Sequence, residues 1–461
     1  MQFKQFYLGC LSHASYYLGS NGEAAIIDPQ RDVQQYIDQA EANKQRIKYV
    51  IETHSHADFV SGHMELAART GSEIIYGQRA NTKFVTHKVS DGDELTVGRI
   101  KLRFLETPGH TPEGITIVAE DLDDPGAARK MFTGDTLFIG DVGRPDLVGS
   151  VGFTAEEMGG MLYDSLHNSI LAYPDDTEVY PAHGAGSLCG KSLSKETWST
   201  LGEQRQFNYA LQPMSKAEFV KLVASDQPEV PMYFPKSAAK NLEGSVSLDD
   251  LPKPAEINTE QILAFDGVVI DVRPNTQYGE GHIPNSVNIG LGGQFASWAG
   301  SLIPIGARIA IAADTQEQVD EAVMRLARIG HETVVSYILL KDYIGEKREI
   351  EQVPVEQVDE LLRSGSELQF IDVRRAAEHA NGHAPQTINI PLDKLGADFE
   401  RLDPRVPTYV ICQGGYRSSL GTSILENAGF SSVSNVVGGT AAWIASGLDT
   451  EMSAAQCATG K

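Results

Sequence analysis

The chain has 461 residues, a formal net charge of −24 and 41% apolar residues, so it is too long for one hydrophobic core and two to four domains are expected. That charge argues against nucleic acid or an anionic membrane surface as a partner. Four scattered cysteines, at 10, 189, 412 and 457, exclude both a disulfide framework and a cysteine-only zinc site. No apolar run reaches the length of a membrane helix, and the opening MQFKQFYLG lacks the pattern of a signal peptide, which predicts a cytoplasmic protein.

Residues 3–28 read as three short strands divided by Gly and Asn turns, and Asp32 to Gln45 as a helix sharing Val33, Tyr36, Ile37 and Ala40 on one face. The run IKYVI, Ile47 to Ile51, is a buried strand by its β-branched and aromatic content. Directly after it comes ETHSHADFVSGH, Glu52 to His63, with two histidines and an aspartate within five residues. Helix resumes at Met64 to Arg69, ELTVGRIKLRFLE gives two strands, Thr154 to Leu171 reads as helix and TEVY as a strand. Three further polar clusters each follow an apolar run: GHTP at Gly109, TGD at Thr133 and PAHG at Pro181. Gln227 to Pro254 is rich in proline and charge and reads as an extended tail leading into a linker.

Beyond the linker the chain repeats itself. IDVRPNTQYGEGHIPNSVNI at 270–289 returns as IDVRRAAEHANGHAPQTINI at 371–390, a duplicated domain. In the second copy an apolar strand runs into VICQGGYRSS, 410–419. A cysteine at the mouth of a glycine-rich turn, followed by a helix N-terminus, suits a bound sulfur anion. In the first copy ARIAIAA runs instead into Asp314, with no cysteine and no glycine-rich turn. Met452 to Lys461 reads as a frayed tail.

The four clusters of the first half, in this order, resemble the metallo-β-lactamase superfamily over about residues 1–245. The resemblance implies an αββα sandwich. The superfamily pattern HxHxDH serves two metals; here it reads His54, His56, Asp58, Phe59, and a phenyl ring offers no ligand, so a mononuclear centre is expected. It narrows to persulfide dioxygenases, whose ligand set carried onto this chain is His54, His110 and Asp135, holding one Fe(II) per chain. Two histidines and one carboxylate leave room for O₂ and a substrate sulfur together. His56, Asp58 and His183 are open between orienting the ligands and ligating directly. Arg144 is the cation expected to meet an anionic persulfide, its other reading being an ordinary ion pair; Asp28, His13, His87 and His167 read as turn or surface residues. Cys10 and Cys189 read as inert thiols.

The duplicated half resembles rhodanese domains, small α/β sheets covered by helices, and VVGGTAAW at 436–443 completes the likeness. It implies a first rhodanese-like domain over 255–350 that lacks the cysteine and acts as scaffold or docking module, and a second over 351–450 that carries sulfur on Cys412. There Arg417 is catalytic and Gly414 and Gly415 bind the substrate anion; Arg273, His282, Arg374 and His383 are structural parts of their turns. The whole is an α/β and α+β multidomain chain expected to oxidise a low-molecular-weight persulfide with O₂ to sulfite and to pass a sulfane sulfur through Cys412 to give thiosulfate. The alternative is a glyoxalase II-like zinc thioester hydrolase whose rhodanese copies only bind. No organic cofactor, nucleic acid or membrane is called for, and a homo-oligomer is left open.

Overall fold

The computed structural model describes residues 1–147, 152–191, 193–225, 227 and 229–452. Of the run expected as a frayed tail only Met452 is described; residues 453–461, Cys457 among them, lie outside the described residues. The chain divides into two compact units, Met1–Leu251 with Leu326–Gly330, and Pro252–Arg325 with His331–Lys461. No described helix is long and apolar enough to cross a membrane.

In the first unit the alternating strand pattern builds two six-stranded sheets. One runs, edge to edge, through Gln2–Leu8, His13–Ser20, Glu23–Ile27, Arg46–Ile51, Glu73–Gly77 and His87–Val89. The other runs through Ser199–Thr200, Glu178–Pro181, Lys130–Gly134, Ile115–Asp121, Ile100–Glu106 and Glu94–Val97. Successive residues serve opposite faces: Tyr16, Ile27 and Ile51 pack with Phe104, Ile117 and Phe132 between the sheets, whereas Tyr17, Ile26 and Val50 turn outward onto Val33, Tyr36 and Leu66. On the far side Val118, Met131 and Val179 meet Leu162, Leu166 and Phe219. Helix, sheet, sheet, helix is therefore the layer order, as the resemblance implied.

Helices form where the periodicity placed them, over Gln34–Ala42, His63–Thr70 and Ala155–Asp164. The last begins at a Thr154–Glu157 capping box, which satisfies two otherwise orphaned N–H groups. One expectation fails here. The segment 227–254 is not simply extended: Phe234–Glu243 is a helix, because Pro235 falls in the first turn, where its missing N–H costs nothing.

The second unit holds two five-stranded, all-parallel sheets of identical order. The first is Ala255–Glu256, Val334–Leu339, Ile309–Ala313, Val268–Asp271 and Ser286–Asn288. The second is Glu351–Val353, Val433–Val436, Thr408–Ile411, Gln369–Asp372 and Ile388–Asn389. In each copy the Asp-Val-Arg turn closes on itself: Arg273 donates to Asp271 and Gly281 O, and Arg374 to Asp372 and Gly382 O. The helix Tyr416–Asn427 buries Ser418, Ser419, Thr422 and Ser423. Its polar groups bind the first copy: Ser419 Oγ donates to Asn288 Oδ1 at 2.7 Å, Asn288 N to Ser423 Oγ at 3.2 Å and Asn427 Nδ2 to Ser286 O at 3.1 Å.

Candidate functional site

Four loops leave the C-terminal ends of strands in the first unit and converge: Thr53 to Asp58, Thr107 to Thr111, Asp135 and His183. His54 Nε2 and His110 Nε2 lie 3.7 and 3.4 Å from Asp135 Oδ2, and all three residues are buried. These three are close enough together to hold one ion. The hydrogen bonds behind them fix which atoms face the centre. His110 Nδ1 donates to the Arg144 carbonyl at 2.9 Å, leaving Nε2 as a bare lone pair. Thr53 Oγ1 donates to Asp28 Oδ2 at 2.8 Å, so it must accept from His54 Nδ1 at 2.9 Å. His54 Nε2 is buried without a hydrogen-bond partner among protein groups. A buried imidazole lone pair aimed at a second one and at a carboxylate is what a metal requires, so the residues fit the implied ion.

Asp135 is also gripped from behind. His183 Nδ1 lies 2.7 Å from Asp135 Oδ1, and its Nε2 lies 2.8 Å from Asp58 Oδ2. Burial works against charge on both Asp135 and His183; the carboxylates more than offset it at His183, whose pKa is raised well above the usual value, and the histidines hold Asp135 well below its own. His183 thus bridges Asp135 and Asp58. Phe59 occupies the space beside them, its ring 4.1 Å from that of His13 and 4.5 Å from that of His56. Three other acidic and histidine groups, His13/His56/His183, Asp58/His183/Cys189 and Asp28/Glu52/His56, cluster around the centre.

Several residues depart from expectation. Asp28 is no surface turn: it is buried and takes both Thr53 N at 2.7 Å and Thr53 Oγ1, so it sets the tautomer of His54 through one hydroxyl. His13 is buried and its Nε2 lies 2.9 Å from Asp28 O. Asn241, on the helix that replaces the expected tail, accepts from Ser61 N and donates to His56 O and Phe59 O, each at 2.8 Å, and so braces the metal loop. Arg144 is buried, and its Nε and Nη2 both donate to Asp146 at 2.7 Å. The ion-pair reading accounts for these bonds, and the Arg144 carbonyl also accepts His110 Nδ1. Cys189 is buried against Asp58 and His183, and burial pushes its thiol pKa well up, in keeping with an inert thiol.

The second site lies wholly in the second unit. Cys412 directly follows the strand Thr408–Ile411 and is buried; Gly415 N donates to its Sγ at 3.1 Å, and Ser418 Oγ lies 3.3 Å away. Gly415 sits at φ +94°, a conformation that aims its N–H at the sulfur and that a side chain would strain. A Cβ on Gly439 would fall 2.1 Å from Cys412 O, which explains the second of the paired glycines after Val437. Tyr416 OH donates to Gly290 O of the first copy at 2.8 Å. In that copy the equivalent strand ends at Ala313 and is followed by Asp314, whose N–H is tied to Gln318 Oε1.

These features define a metal-binding αββα domain joined to two small parallel-sheet domains. The Metallo-beta-lactamase superfamily profile matches residues 8–183, and the Rhodanese-like domain profile matches 254–339 and 354–446. The human mitochondrial persulfide dioxygenase ETHE1 is 32% identical over 221 residues, 46% of this chain and 76% of that protein. A hydroxyacylglutathione hydrolase from Dictyostelium discoideum is 30% identical over 169 residues, 34% of this chain and 60%, less than two thirds, of that relative. A crystal structure described as a metallo-beta-lactamase from Staphylococcus aureus is 34% identical with a TM-score of 0.66, covering 74% of this chain and 98% of that one. The chain belongs to the metallo-β-lactamase superfamily, as a homologue of the persulfide dioxygenases fused to two rhodanese-like domains.

Proposed function

We propose that the first unit oxidises a low-molecular-weight persulfide to sulfite (RSSH + O₂ + H₂O → RSH + SO₃²⁻ + 2 H⁺) and that Cys412 carries a sulfane sulfur which sulfite removes as thiosulfate. The observation that carries the first half is the convergence of His54 Nε2, His110 Nε2 and Asp135 Oδ2 beside a phenylalanine that supplies no ligand to a second metal. Iron(II) held by these three residues, one per chain, would supply O₂ activation and an open position for the substrate sulfur. The chain's own part is orientation. Thr53 and the Arg144 carbonyl hold the two imidazoles by Nδ1, and His183 holds Asp135, so that no ligand has to reorganise when substrate arrives. A small cavity beside the ligands is lined by Thr107, Thr111, Thr133 and Thr136.

At the second site the Gly415 N–H aimed at Sγ favours an anionic sulfur on Cys412. The deciding experiment is O₂ uptake and sulfite release by anaerobically iron-loaded protein across a panel of persulfides. Hydrolysis of a glutathione thioester without O₂ uptake would instead place the first unit with the hydroxyacylglutathione hydrolases.

A further inference from the structure

Two arginines reach the loop that carries Cys412, and each arrives matched by a carboxylate. Arg374 donates from Nε and Nη2 to Asp372, and its Nη1 lies 3.4 Å from Gln413 Oε1. Arg417 donates from Nη1 and Nη2 to Glu378 Oε2 and Oε1, both at 2.7 Å. This planar two-bond fork is the strongest geometry available to such a pair. The Arg417 side chain is 15% exposed and that of Glu378 36%, so the glutamate sits on the water side of the guanidinium.

Glu378 does not drift into that position. It is the third residue of the helix Ala376–Ala380, and its Oε2 accepts Arg375 N at 3.2 Å, completing the helix start. Burial works to raise the Glu378 pKa, but the hydrogen bond and charge of Arg417 more than offset it, and the group is ionised at neutral pH. Arg375 is within electrostatic reach of the same carboxylate, and Cys412 lies within that of Arg417. A cation beside a sulfur site would ordinarily attract the most highly charged anion present; here its field is cut by a fixed negative charge at the mouth.

We propose that Glu378 is a specificity-determining residue of the sulfur-transfer site, screening Arg417 so that a persulfide with at most one charge on its sulfur is taken as donor and dianionic thiosulfate is held weakly. This rests on the reading of Cys412 as the sulfur carrier. In the loading step the Cys412 thiolate attacks the outer sulfur of RSSH; the new S–S bond forms as the old one breaks, and the electron pair leaves on RS⁻. In the unloading step the sulfite sulfur lone pair attacks the outer sulfur of the Cys412 persulfide, the bond to Cys412 breaks, its electron pair restores the thiolate, and the persulfide proton passes to water. No external oxidant or reductant is required. Sulfite and thiosulfate carry the same charge, so Glu378 favours neither direction of that exchange; it loosens the hold on both, and at high sulfite the looser hold speeds release of thiosulfate.

The test is Glu378→Gln in the full iron-loaded chain. Glutamine serves equally as the third residue of a capping box, so the helix start is kept while the charge is removed. With thiosulfate as donor and cyanide as acceptor, KM for thiosulfate should fall about tenfold, and the ratio of kcat/KM for thiosulfate over glutathione persulfide should rise about tenfold, the scale of one screened charge at a partly exposed site. Inhibition by added thiosulfate should tighten to match. An unchanged thiosulfate KM and selectivity ratio overturn the proposal, and a raised KM shows that Glu378 aligns Arg417 for the anion rather than screening it. Mass spectrometry of the wild type separates the parent reading: if neither donor places a sulfur on Cys412, the carrier assignment falls and the proposal with it.

Discussion

Removing one hydroxyl group should weaken metal binding. Thr53→Val keeps the branched shape of the side chain but deletes the Oγ1 that accepts from His54 Nδ1 at 2.9 Å and donates to Asp28 Oδ2 at 2.8 Å. Two consequences follow. The His54 ring loses the bond that keeps its proton on Nδ1, so the lone pair is no longer reserved for the centre, and one Asp28 oxygen loses a donor in a buried setting. Loss of an outer partner of a ligating histidine typically costs about 10- to 100-fold in metal affinity, or about 1.4–2.7 kcal/mol. The metal-free protein should lose about 1.5–3 kcal/mol of stability from the broken bond to a charged acceptor. Anaerobic titration of Fe(II) against a chelator of known affinity measures the first quantity and urea unfolding of the metal-free chain the second. Thr53→Ser, which keeps the hydroxyl, should stay near the wild type in both. If the valine variant binds iron as tightly as wild type, the tautomer of His54 is set by something other than Thr53 and Asp28, and the reasoning fails.

His110→Ala should abolish O₂ uptake while leaving sulfur loading of Cys412 intact, since the two sites belong to separate cores; joint loss would point to one composite site. Cys412→Ser should still consume O₂ but shift the product from thiosulfate toward sulfite, and an unaltered product ratio, after correction for spontaneous reaction of sulfite with persulfide, would exclude coupling through Cys412. Gly293→Ala would place a Cβ 2.5–2.8 Å from the Tyr416 ring, and displacing that ring from its cradle should slow persulfide formation on Cys412 by about tenfold or more, read by quenched-flow mass spectrometry. His331 is buried, and burial lowers its pKa from 6.5 to about 4, so its folded-state pKa lies below the unfolded one. Its contribution to stability is therefore complete above pH 6.5 and declines as pH falls toward 4, by at most about 3 kcal/mol, and His331→Leu should flatten that part of the pH–stability curve.

The residues that could be read directly from the chain were those whose meaning is local. His54, His110 and Asp135 each stand in a short polar cluster behind an apolar strand, and Cys412 announces itself by the glycines after it. The duplication was visible because two turns solve the same local problem with the same Asp-Val-Arg. Asp28, His13 and Asn241 were not legible, since their partners lie far along the chain and a lone polar residue near a turn looks the same whether it braces a metal loop or faces water. The helix Phe234–Glu243 was hidden by Pro235, which stops a helix in its middle and starts one at its edge. Arg144 admits two readings from the chain alone: a basic residue past a polar cluster can meet a substrate anion, and the acid that pairs with it, Asp146, sits only two positions further on.

The helix that follows Cys412 turns serines and threonines into a protein interior where most helices would present leucine. Ser418 Oγ lies against Cys412 Sγ, and Thr422 and Ser423 donate back to helix carbonyls, but Ser419 Oγ and the Asn427 amide find their acceptors on Asn288 and Ser286 of the preceding copy. A copy cut away at residue 350 would leave Ser419 and Asn427 without those acceptors and Tyr416 without Gly290 O, so the shortest fragment expected to transfer sulfur begins near Pro252 rather than at the start of the second repeat.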